Sequence, residues 1–278
     1  MHSTDRYTVI GNPIAHSKSP EIHAYFAAQT QQNMTYERQL APLGGFAATV
    51  AELIARGDKG ANVTVPFKLE AHALAIMLTE RARAAGAVNT LTFECDVIVG
   101  DKIIGDNTDG VGLVNDIVVG AGVSVAGKRI LMLGAGGAAR GVMLPLLLES
   151  PAQITIANRT TAKAAELAMQ FASHGAVVAS EFDALEGQFD IIINATSASL
   201  SGDVPPIPSA SFGKNTFAYD MMYGAEPTAF LRFAAQHGAV VRDGLGMLIE
   251  QAAEAFFLWR GVRPNTATLL ADLRKKLV

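Results

Sequence analysis

A glycine-rich loop follows the apolar segment 129–133 and has the residue types that a bound pyrophosphate requires. Gly134, Gly136 and Ala139 match the pattern G-x-G-x-x-G/A. In this pattern the first glycine permits a tight turn, the second lets the backbone approach the anion, and a small third residue lets a helix pack on the strand. The free N–H groups at the start of that helix favour the anion. The loop therefore predicts a dinucleotide site, and a plain tight turn is the structural alternative.

The end of the next strand indicates which dinucleotide is bound. Residues 154–157 lead into Asn158, Arg159 and Thr160, where an NAD-binding chain places an acidic residue against the ribose 2′-hydroxyl. Arginine instead suits a phosphate, and Lys163 lies in the first turn of the following helix, where a cation is disfavoured unless an anion is bound. These residues predict NADP, and the alternative is that both cations are solvated surface charges.

Two other positions have residue types suited to proton transfer. Lys68 follows a β-branched strand and Pro66, so it opens a helix whose dipole disfavours a cation, which suits a lysine that exchanges protons. The alternative is a lysine that points into water. From the residues alone, Asp109 is best interpreted as an N-cap or first-turn acid of the helix after Asn107.

A pair of serines precedes the first helix. Ser19 stands before Pro20, which predicts that Ser19 is the N-cap and that proline occupies the first helical position. Hydroxyls such as those of Ser17 and Ser19 at the start of a helix also suit a carboxylate ligand. The sequence leaves both interpretations open.

Alternating strands and helices position these residues, which predicts an α/β protein. Strands are predicted at 7–10, 36–40, 61–65, 86–93 and 102–104 before the glycine loop, and at 129–133, 154–157, 176–178, 190–194, 217–220 and 239–241 from the loop onward. A long amphipathic helix at 245–260 and a last helix follow, and we expect both to pack back on the first domain. The predicted domains are 1–108 with 244–278, and 109–243, with a cleft between them.

Composition excludes several classes of protein. Half of the 278 residues are apolar, and the net charge of −4 gives no sign of a nucleic-acid-binding surface. The single cysteine, Cys95, fits a reducing compartment, and no segment is apolar and long enough for a signal peptide or a membrane span. No histidine or cysteine spacing suggests a metal site. We therefore expect a cytoplasmic protein without a membrane or nucleic-acid partner.

The chain resembles the shikimate dehydrogenase family, which includes shikimate/quinate dehydrogenases, over essentially its full length. Several motifs in one order make the resemblance more specific than any one motif does. These motifs are Ser17–Pro20, Asn62–Lys68, Gly86–Thr90, Asn107–Gly110, Gly134–Arg140, Asn158–Thr160, Asn194–Ser197 and Gly246–Ala252.

The resemblance implies an N-terminal substrate domain, a Rossmann-like NADP-binding domain, and the reversible reduction of 3-dehydroshikimate to shikimate by NADPH in aromatic amino-acid biosynthesis. It implies that Lys68 and Asp109 are the catalytic pair and also touch substrate, which overturns the N-cap preference for Asp109. In the implied mechanism, hydride goes to the ketone carbon, Lys68 gives a proton to the oxygen, and Asp109 orients both. The other substrate-binding residues implied are Ser17, Ser19, Thr64, Asn89, Tyr223 and Gln251.

The cofactor-binding residues follow from the same resemblance. The pyrophosphate is assigned to Gly134, Ala135, Gly136, Gly137 and Ala138. The adenosine ribose and its 2′-phosphate are assigned to Asn158, Arg159, Thr160 and Lys163. The nicotinamide side is assigned to Thr196, Ser197, Met221, Gly244 and Met247, and Glu80 matches a further position tied to cofactor binding.

Three other functions stay open at this point. One is a quinate/shikimate dehydrogenase that accepts NAD, against which Arg159 argues. Another is a folate-type dehydrogenase, which Ser17 and Ser19 disfavour. The third is a non-catalytic, NADP-sensing binding module, which does not need Lys68 and Asp109 together. The expected partner is a small-molecule substrate, and the expected assembly is a monomer or a homodimer.

Overall fold

The computed structural model describes residues 4–94, 102–196, 198 and 202–277. The chain divides into two compact units, Met1–Asp109 with Ile249–Leu269, and Gly110–Leu248 with Leu270–Val278. The units therefore divide the segment 244–278, which sequence analysis assigned to one domain. The functional assignment of the two domains stays a prediction.

The first unit is built on a mixed sheet. Its elements are β1 (Asp5–Gly11), α1 (Ser19–Thr30), β2 (Met34–Leu40), α2 (Phe46–Arg56), β3 (Gly60–Val63), α3 (Lys68–Leu74), β4 (Met77–Leu78), α4 (Glu80–Ala85), β5 (Thr90–Glu94), β6 (Lys102–Asp106) and most of α9 (Leu245–Arg260). The described strands lie in the order β2-β1-β3-β5-β6-β4, and β5 runs antiparallel to both of its neighbours.

Helix α9 packs on the sheet of the first unit through Trp259. The Trp259 indole donates to the Leu91 carbonyl at 3.1 Å and stacks on Tyr7 with ring centroids 4.6 Å apart. Gly60 is needed beneath it, because a Cβ there would lie 2.5 Å from the Leu91 oxygen and 2.6 Å from Trp259 Nε1. The expected return to the first domain is confirmed for this helix, which carries Gln251 to the site described below. The last helix, expected there too, lies mostly in the second unit.

The second unit is a parallel sheet with α-helices between some of its successive strands. Its elements are α5 (Asp109–Asn115), which continues into a π-helical turn (Asp116–Gly120), β7 (Arg129–Leu133), α6 (Gly137–Leu148), β8 (Gln153–Ala157), α7 (Thr161–Phe171), β9 (Val177–Ser180), β10 (Phe189–Asn194), β11 (Phe212–Asp220), α8 (Ala229–Gln236), β12 (Val240–Asp243) and part of α10 (Ala267–Leu277). The described strands lie in the order β12-β11-β10-β7-β8-β9. This is a doubly wound order whose direction reverses between β7 and β10, the place where such sheets bind ligands.

Most of the predicted elements are present, and the α/β fold is confirmed. Short elements β4, α4 and α8 were not predicted, because they are too short for periodicity to separate them from loops. Strand β5 begins at Thr90 rather than at residue 86, because Gly86 has a φ of 61° and ends α4. Cys95 lies outside the described residues. None of the described helices is long and apolar enough to span a bilayer.

Candidate active site

Lys68 and Asp109 are in direct contact, although they are far apart in the chain. Lys68 is the first residue of α3, and its Nζ donates to Asp109 Oδ2 at 2.5 Å. The Asp109 side chain is 16% exposed and that of Lys68 is 34% exposed, so the ion pair is shielded but reachable from solvent. The interpretation of Lys68 as a lysine simply pointing into water is therefore wrong.

Asp109 does not cap its helix. It is the first residue of α5, and its backbone N–H donates to Asn107 Oδ1 at 3.1 Å. The Asp109 carboxylate instead accepts from Lys68 and, at 2.8 Å, from Asn89 Nδ2. Asp109 is the acidic residue in the first turn of α5, so this alternative of the sequence prediction is confirmed, and its carboxylate also orients Lys68.

Asn89 joins this pair to Gln251 on α9. Its Oδ1 accepts from the Thr108 backbone at 2.9 Å, which fixes the amide orientation so that Nδ2 faces Asp109. The same Nδ2 lies 3.4 Å from Gln251 Oε1. Lys68, Asp109, Asn89, Thr108 and Gln251 therefore form one hydrogen-bonded group, which we call the polar cluster.

A buried hydrogen-bond chain supports the polar cluster from behind, and sequence reasoning missed it. Asn62 on β3 donates to the Asn89 carbonyl at 3.1 Å and to Thr90 Oγ1 at 3.0 Å, and accepts from the Tyr36 hydroxyl at 2.7 Å. Burial raises the pKa of Tyr36 well above its ordinary value, so this hydroxyl stays protonated and donates. The only signal in the sequence was a polar residue, Asn62, within a β-branched strand.

The serine loop enters α1 without the predicted cap. Helix α1 begins at Ser19, preceded by Lys18, and it has no side-chain cap bond from the described residues. The interpretation of Ser19 as the N-cap is therefore wrong. The Ser19 backbone N–H donates to Ser17 Oγ at 3.3 Å, and Arg38 Nε donates to the Ser17 carbonyl at 3.0 Å. Arg38 thus holds the loop from β2, a contact that the sequence did not suggest.

Thr64 and Tyr223, like the two serines, lie outside the polar cluster. Thr64 follows β3, and its backbone N–H donates to the Ile10 carbonyl at 2.9 Å. Tyr223 belongs to the second unit, where burial raises the pKa of its hydroxyl. Their roles toward a substrate stay predictions.

The glycine loop lies in the second unit at the carboxyl end of β7, beside β10. Gly134 has a φ of 105°, a left-handed conformation that favours glycine. A Cβ on Gly136 or Gly137 would meet no described atom within 4 Å, so the backbone at the start of α6 borders open space. An open backbone at the amino end of a twelve-residue helix fits a pyrophosphate. The residues present therefore fit the predicted dinucleotide.

A cavity of about 650 Å³ borders the predicted 2′-phosphate residues. Its lining includes Asn158 and Arg159, the acidic residues Glu181 and Asp183, and the apolar residues Phe182, Ile207 and Pro208. The apolar residues suit an adenine ring, and Arg159 suits a ribose phosphate.

Thr160 and Lys163 both lie at the start of α7. Thr160 occupies the N-cap position, as its residue type favours, but its side chain makes no cap bond among the described residues. Lys163 lies in the first turn as predicted. The role of both residues toward a 2′-phosphate stays a prediction.

The residues assigned to the nicotinamide side are spread over three segments. Thr196 Oγ1 donates to Asn194 Oδ1 at 2.7 Å just after β10. Met221 is buried, and a Cβ on Gly244 would collide with the Met221 carbonyl, so these two backbones pass in close contact. Ser197 lies outside the described residues. Met247 lies in the first turn of α9, and Glu80 belongs to the first unit as the first residue of α4.

A buried ionic group in the second unit was also missed. Tyr219 donates its hydroxyl to Asp116 Oδ2 at 2.7 Å, and Arg242 Nε donates to the same oxygen at 3.0 Å. A Cβ on Gly246 would collide with the Asp116 carboxylate. Asp116 therefore joins β11, β12 and the start of α9, where the motif Gly246–Ala252 begins.

Three family models match separate segments of the chain. Residues 9–91 match the shikimate dehydrogenase substrate binding domain. Residues 117–201 match the shikimate/quinate 5-dehydrogenase family, and residues 244–273 match the shikimate 5′-dehydrogenase C-terminal domain. Together these matches cover most of the chain.

Relatives and solved structures align over nearly the whole chain. A protein of Herminiimonas arsenicoxydans, named shikimate dehydrogenase (NADP(+)), is 66% identical over 99% of this chain and 98% of its own length. An Ael1 enzyme from Pseudomonas putida has a TM-score of 0.92 and 47% identity, with 97% of this chain and 98% of that chain covered. A shikimate 5-dehydrogenase from Thermus thermophilus, solved with NADP(H) and shikimate, has a TM-score of 0.83 and 30% identity, with 99% and 100% covered.

The parallel sheet, its glycine loop and the Lys68–Asp109 pair define a two-unit α/β protein of the dinucleotide-dependent dehydrogenase class. Within that class, the chain belongs to the shikimate dehydrogenase family.

Proposed function

We propose that the protein catalyses the reversible, NADP-dependent reduction of 3-dehydroshikimate to shikimate. The observation that carries this proposal is the contact between Lys68 and Asp109 beside Asn89 and Gln251. It places an ammonium donor next to amide and carboxylate groups that suit a polyhydroxylated ring. The name of the relative with 66% identity supports the same reaction.

The polar cluster handles the proton of the reaction. NADPH, when bound, supplies the hydride that reduces the ketone carbon. Lys68 donates a proton from Nζ to the carbonyl oxygen as negative charge develops on it, which is general acid catalysis. Asp109 keeps the Lys68 ammonium directed through their 2.5 Å hydrogen bond, and Asn89 keeps the Asp109 carboxylate in place.

The serine loop binds the carboxylate of the substrate in this proposal. Ser17 and Ser19 offer hydroxyls, and Arg38 holds the Ser17 carbonyl so that the loop keeps its conformation. Thr64, Asn89, Gln251 and Tyr223 bind carboxylate or ring hydroxyls. These assignments rest on residue types and on the family motifs.

The second unit binds NADP rather than NAD in this proposal. Gly134 to Ala138 bind the pyrophosphate, and Asn158, Arg159, Thr160 and Lys163 bind the ribose with its 2′-phosphate. Arginine at the edge of the 650 Å³ cavity favours a doubly charged phosphate. Thr196, Ser197, Met221, Gly244 and Met247 contact the nicotinamide side, and Glu80 has a supporting role. We propose a cytoplasmic monomer or homodimer.

A spectrophotometric assay tests the proposal directly. Purified protein is mixed with shikimate or quinate and with NADP or NAD, and formation of the reduced cofactor is followed. We expect the highest kcat/KM with shikimate and NADP. Equal or better turnover with quinate and NAD would assign the other dehydrogenase activity. Tight NADPH binding without turnover of any of these substrates would contradict the proposal and favour a binding module.

A further inference from the structure

Arg81 on α4 connects two buried carboxylates in the first unit. Its Nε and Nη2 donate to the two oxygens of Asp106 at 2.7 and 2.8 Å, and Nη2 also donates to Glu254 Oε1 at 3.0 Å. The Arg81 side chain is only 20% exposed, and both carboxylates are buried. We call Arg81, Asp106 and Glu254 the Arg81 bridge.

One end of the Arg81 bridge holds the loop that carries Asp109. Asp106 ends β6, and its Oδ1 accepts from the Asn107 backbone at 2.6 Å and from Thr79 Oγ1 at 2.7 Å. Asn107 in turn accepts from the Asp109 backbone through Oδ1 at 3.1 Å. The position of the Asp109 backbone therefore follows that of the Asp106 carboxylate through two hydrogen bonds.

The other end holds α9 next to Gln251. Glu254 follows Gln251 by three residues, so the two side chains leave the helix on neighbouring positions of one face. Within the polar cluster, Gln251 Oε1 lies 3.4 Å from Asn89 Nδ2 and 3.4 Å from Thr108 Oγ1. These two contacts are long, so a small shift of α9 is enough to break them.

We propose that Arg81 is a positioning residue, which sets the separation between Asp109 and Gln251 by binding both of the segments that carry them. The expected fall in kcat rests on the proposed function, whereas the expected change in backbone hydrogen exchange does not. None of the described hydrogen bonds joins Arg81 to a member of the polar cluster. It acts through the backbone of Asn107 and through α9.

The charges of the Arg81 bridge explain why it requires an arginine. Burial favours a raised pKa for Asp106, but the hydrogen bonds and charge of Arg81 hold that pKa below its ordinary value, so the Asp106 carboxylate stays charged. Without the guanidinium, Asp106 and Glu254 would be buried carboxylates with no cation between them, and their negative charges would repel each other. A lysine could pair with one carboxylate but lacks the planar fork that binds both.

Arg263 provides a matched control in the same ionic group. Its Nη2 donates to Glu254 Oε2 at 2.6 Å, but its side chain is 47% exposed and none of its described contacts reaches Asp106. Arg263→Met therefore removes an arginine from the same carboxylate while the link between Asp106 and α9 remains. Comparison of Arg81→Met with Arg263→Met isolates the bridging contact.

The test combines hydrogen exchange with kinetics on the full-length variants. In Arg81→Met we expect faster backbone exchange at residues 106–109 and 249–254, with exchange in the second unit unchanged. We expect kcat for shikimate oxidation to fall about tenfold to a hundredfold, because misplaced catalytic groups lose that much rate. NADP affinity should not change, and Arg81→Lys should recover part of the loss. Arg263→Met should stay within about twofold of the wild type, because the Arg263 side chain is half exposed and Glu254 keeps its bond to Arg81.

Each outcome decides the proposal. Unchanged exchange at 106–109 in a folded Arg81→Met protein would overturn it, whatever the wild-type activity is. An equal kinetic loss in Arg263→Met would also overturn it, because general destabilisation would then explain the effect. If Arg81→Met does not fold, Asp106→Asn keeps the side-chain shape and weakens the same contact, and it should show the same exchange pattern. Failure of the wild type to oxidise shikimate would refute the proposed function alone, since the exchange comparison does not use substrate.

Discussion

Replacement of Lys68 by alanine separates the proposed chemistry from stability. The change removes the ammonium that lies 2.5 Å from Asp109 Oδ2 and leaves Asp109 bound to Asn89. General acid–base catalysis contributes about a hundredfold to ten-thousandfold in rate, so kcat should fall by that factor. This loss corresponds to an activation barrier raised by about 3 to 5 kcal/mol.

The cost in folding stability should be much smaller. Lys68 is 34% exposed, so its ion pair with Asp109 is partly screened by solvent. A pair of this kind contributes about 1 kcal/mol or less to the free energy of unfolding. The melting temperature should therefore drop by no more than a few degrees, roughly 2 to 4 °C. The kinetic loss cannot then be explained by unfolding.

The assay is steady-state shikimate oxidation with saturating NADP, together with thermal melting of each protein. KM for shikimate should change little, because the interaction lost is made mainly in the transition state. Lys59→Ala is the control, since Lys59 is an exposed lysine of the same unit. A raised KM with kcat unchanged would refute the reasoning and make Lys68 a binding residue.

Two stability predictions concern other parts of the protein. Gly246→Ala should lower the free energy of unfolding by about 3 kcal/mol in urea titrations, because its Cβ would collide with the buried Asp116 carboxylate. Gly224→Ala is the control, since its Cβ would meet its nearest neighbour at 3.5 Å, and wild-type stability in Gly246→Ala would contradict the packing argument. His23 is buried against Tyr36, and burial lowers its pKa from 6.5 to about 3. Between pH 6.5 and about 3, the unfolded chain binds a proton at His23 that the folded protein does not bind. The free energy of unfolding therefore falls as the pH decreases through this range, by up to about 1.4 kcal/mol per pH unit. The His23→Phe protein should lose less unfolding free energy than the wild type when the pH is lowered from 7 to 5. An equal loss in both proteins would show that His23 is not the source of the pH dependence.

The glycine loop illustrates what local pattern can predict. An apolar run, a left-handed glycine and a helix start are properties of neighbouring residues, so the turn at Gly134 and the strand before it could be predicted directly. The same holds for the parallel strands, because runs of β-branched residues are typical of buried strands. The family and the reaction came from the order of motifs, NADP came first from Arg159 and Lys163, and the comparisons confirm all three.

The capping predictions show where local rules fail. Ser19, Thr160 and Asp109 all stand at helix starts and have the residue types of N-caps, yet none caps its helix through its side chain in the described structure. At Asp109 the reason is visible, because Lys68 and Asn89 compete for the carboxylate. A tertiary partner that is charged or buried outweighs a capping bond of about 1 kcal/mol.

The sequence by itself determined the order of strands and helices, the glycine turn and the family, because each depends on neighbouring residues or on motifs that the chain carries in one order. Only the tertiary structure decided the partners of the buried polar side chains. Tyr36 with Asn62, Arg81 with Glu254, and Asp116 with Arg242 are separated by 26, 173 and 126 residues. No local propensity records such a pairing: a buried charge or amide must find a partner somewhere in the fold, and the packing of the chain decides which one it meets.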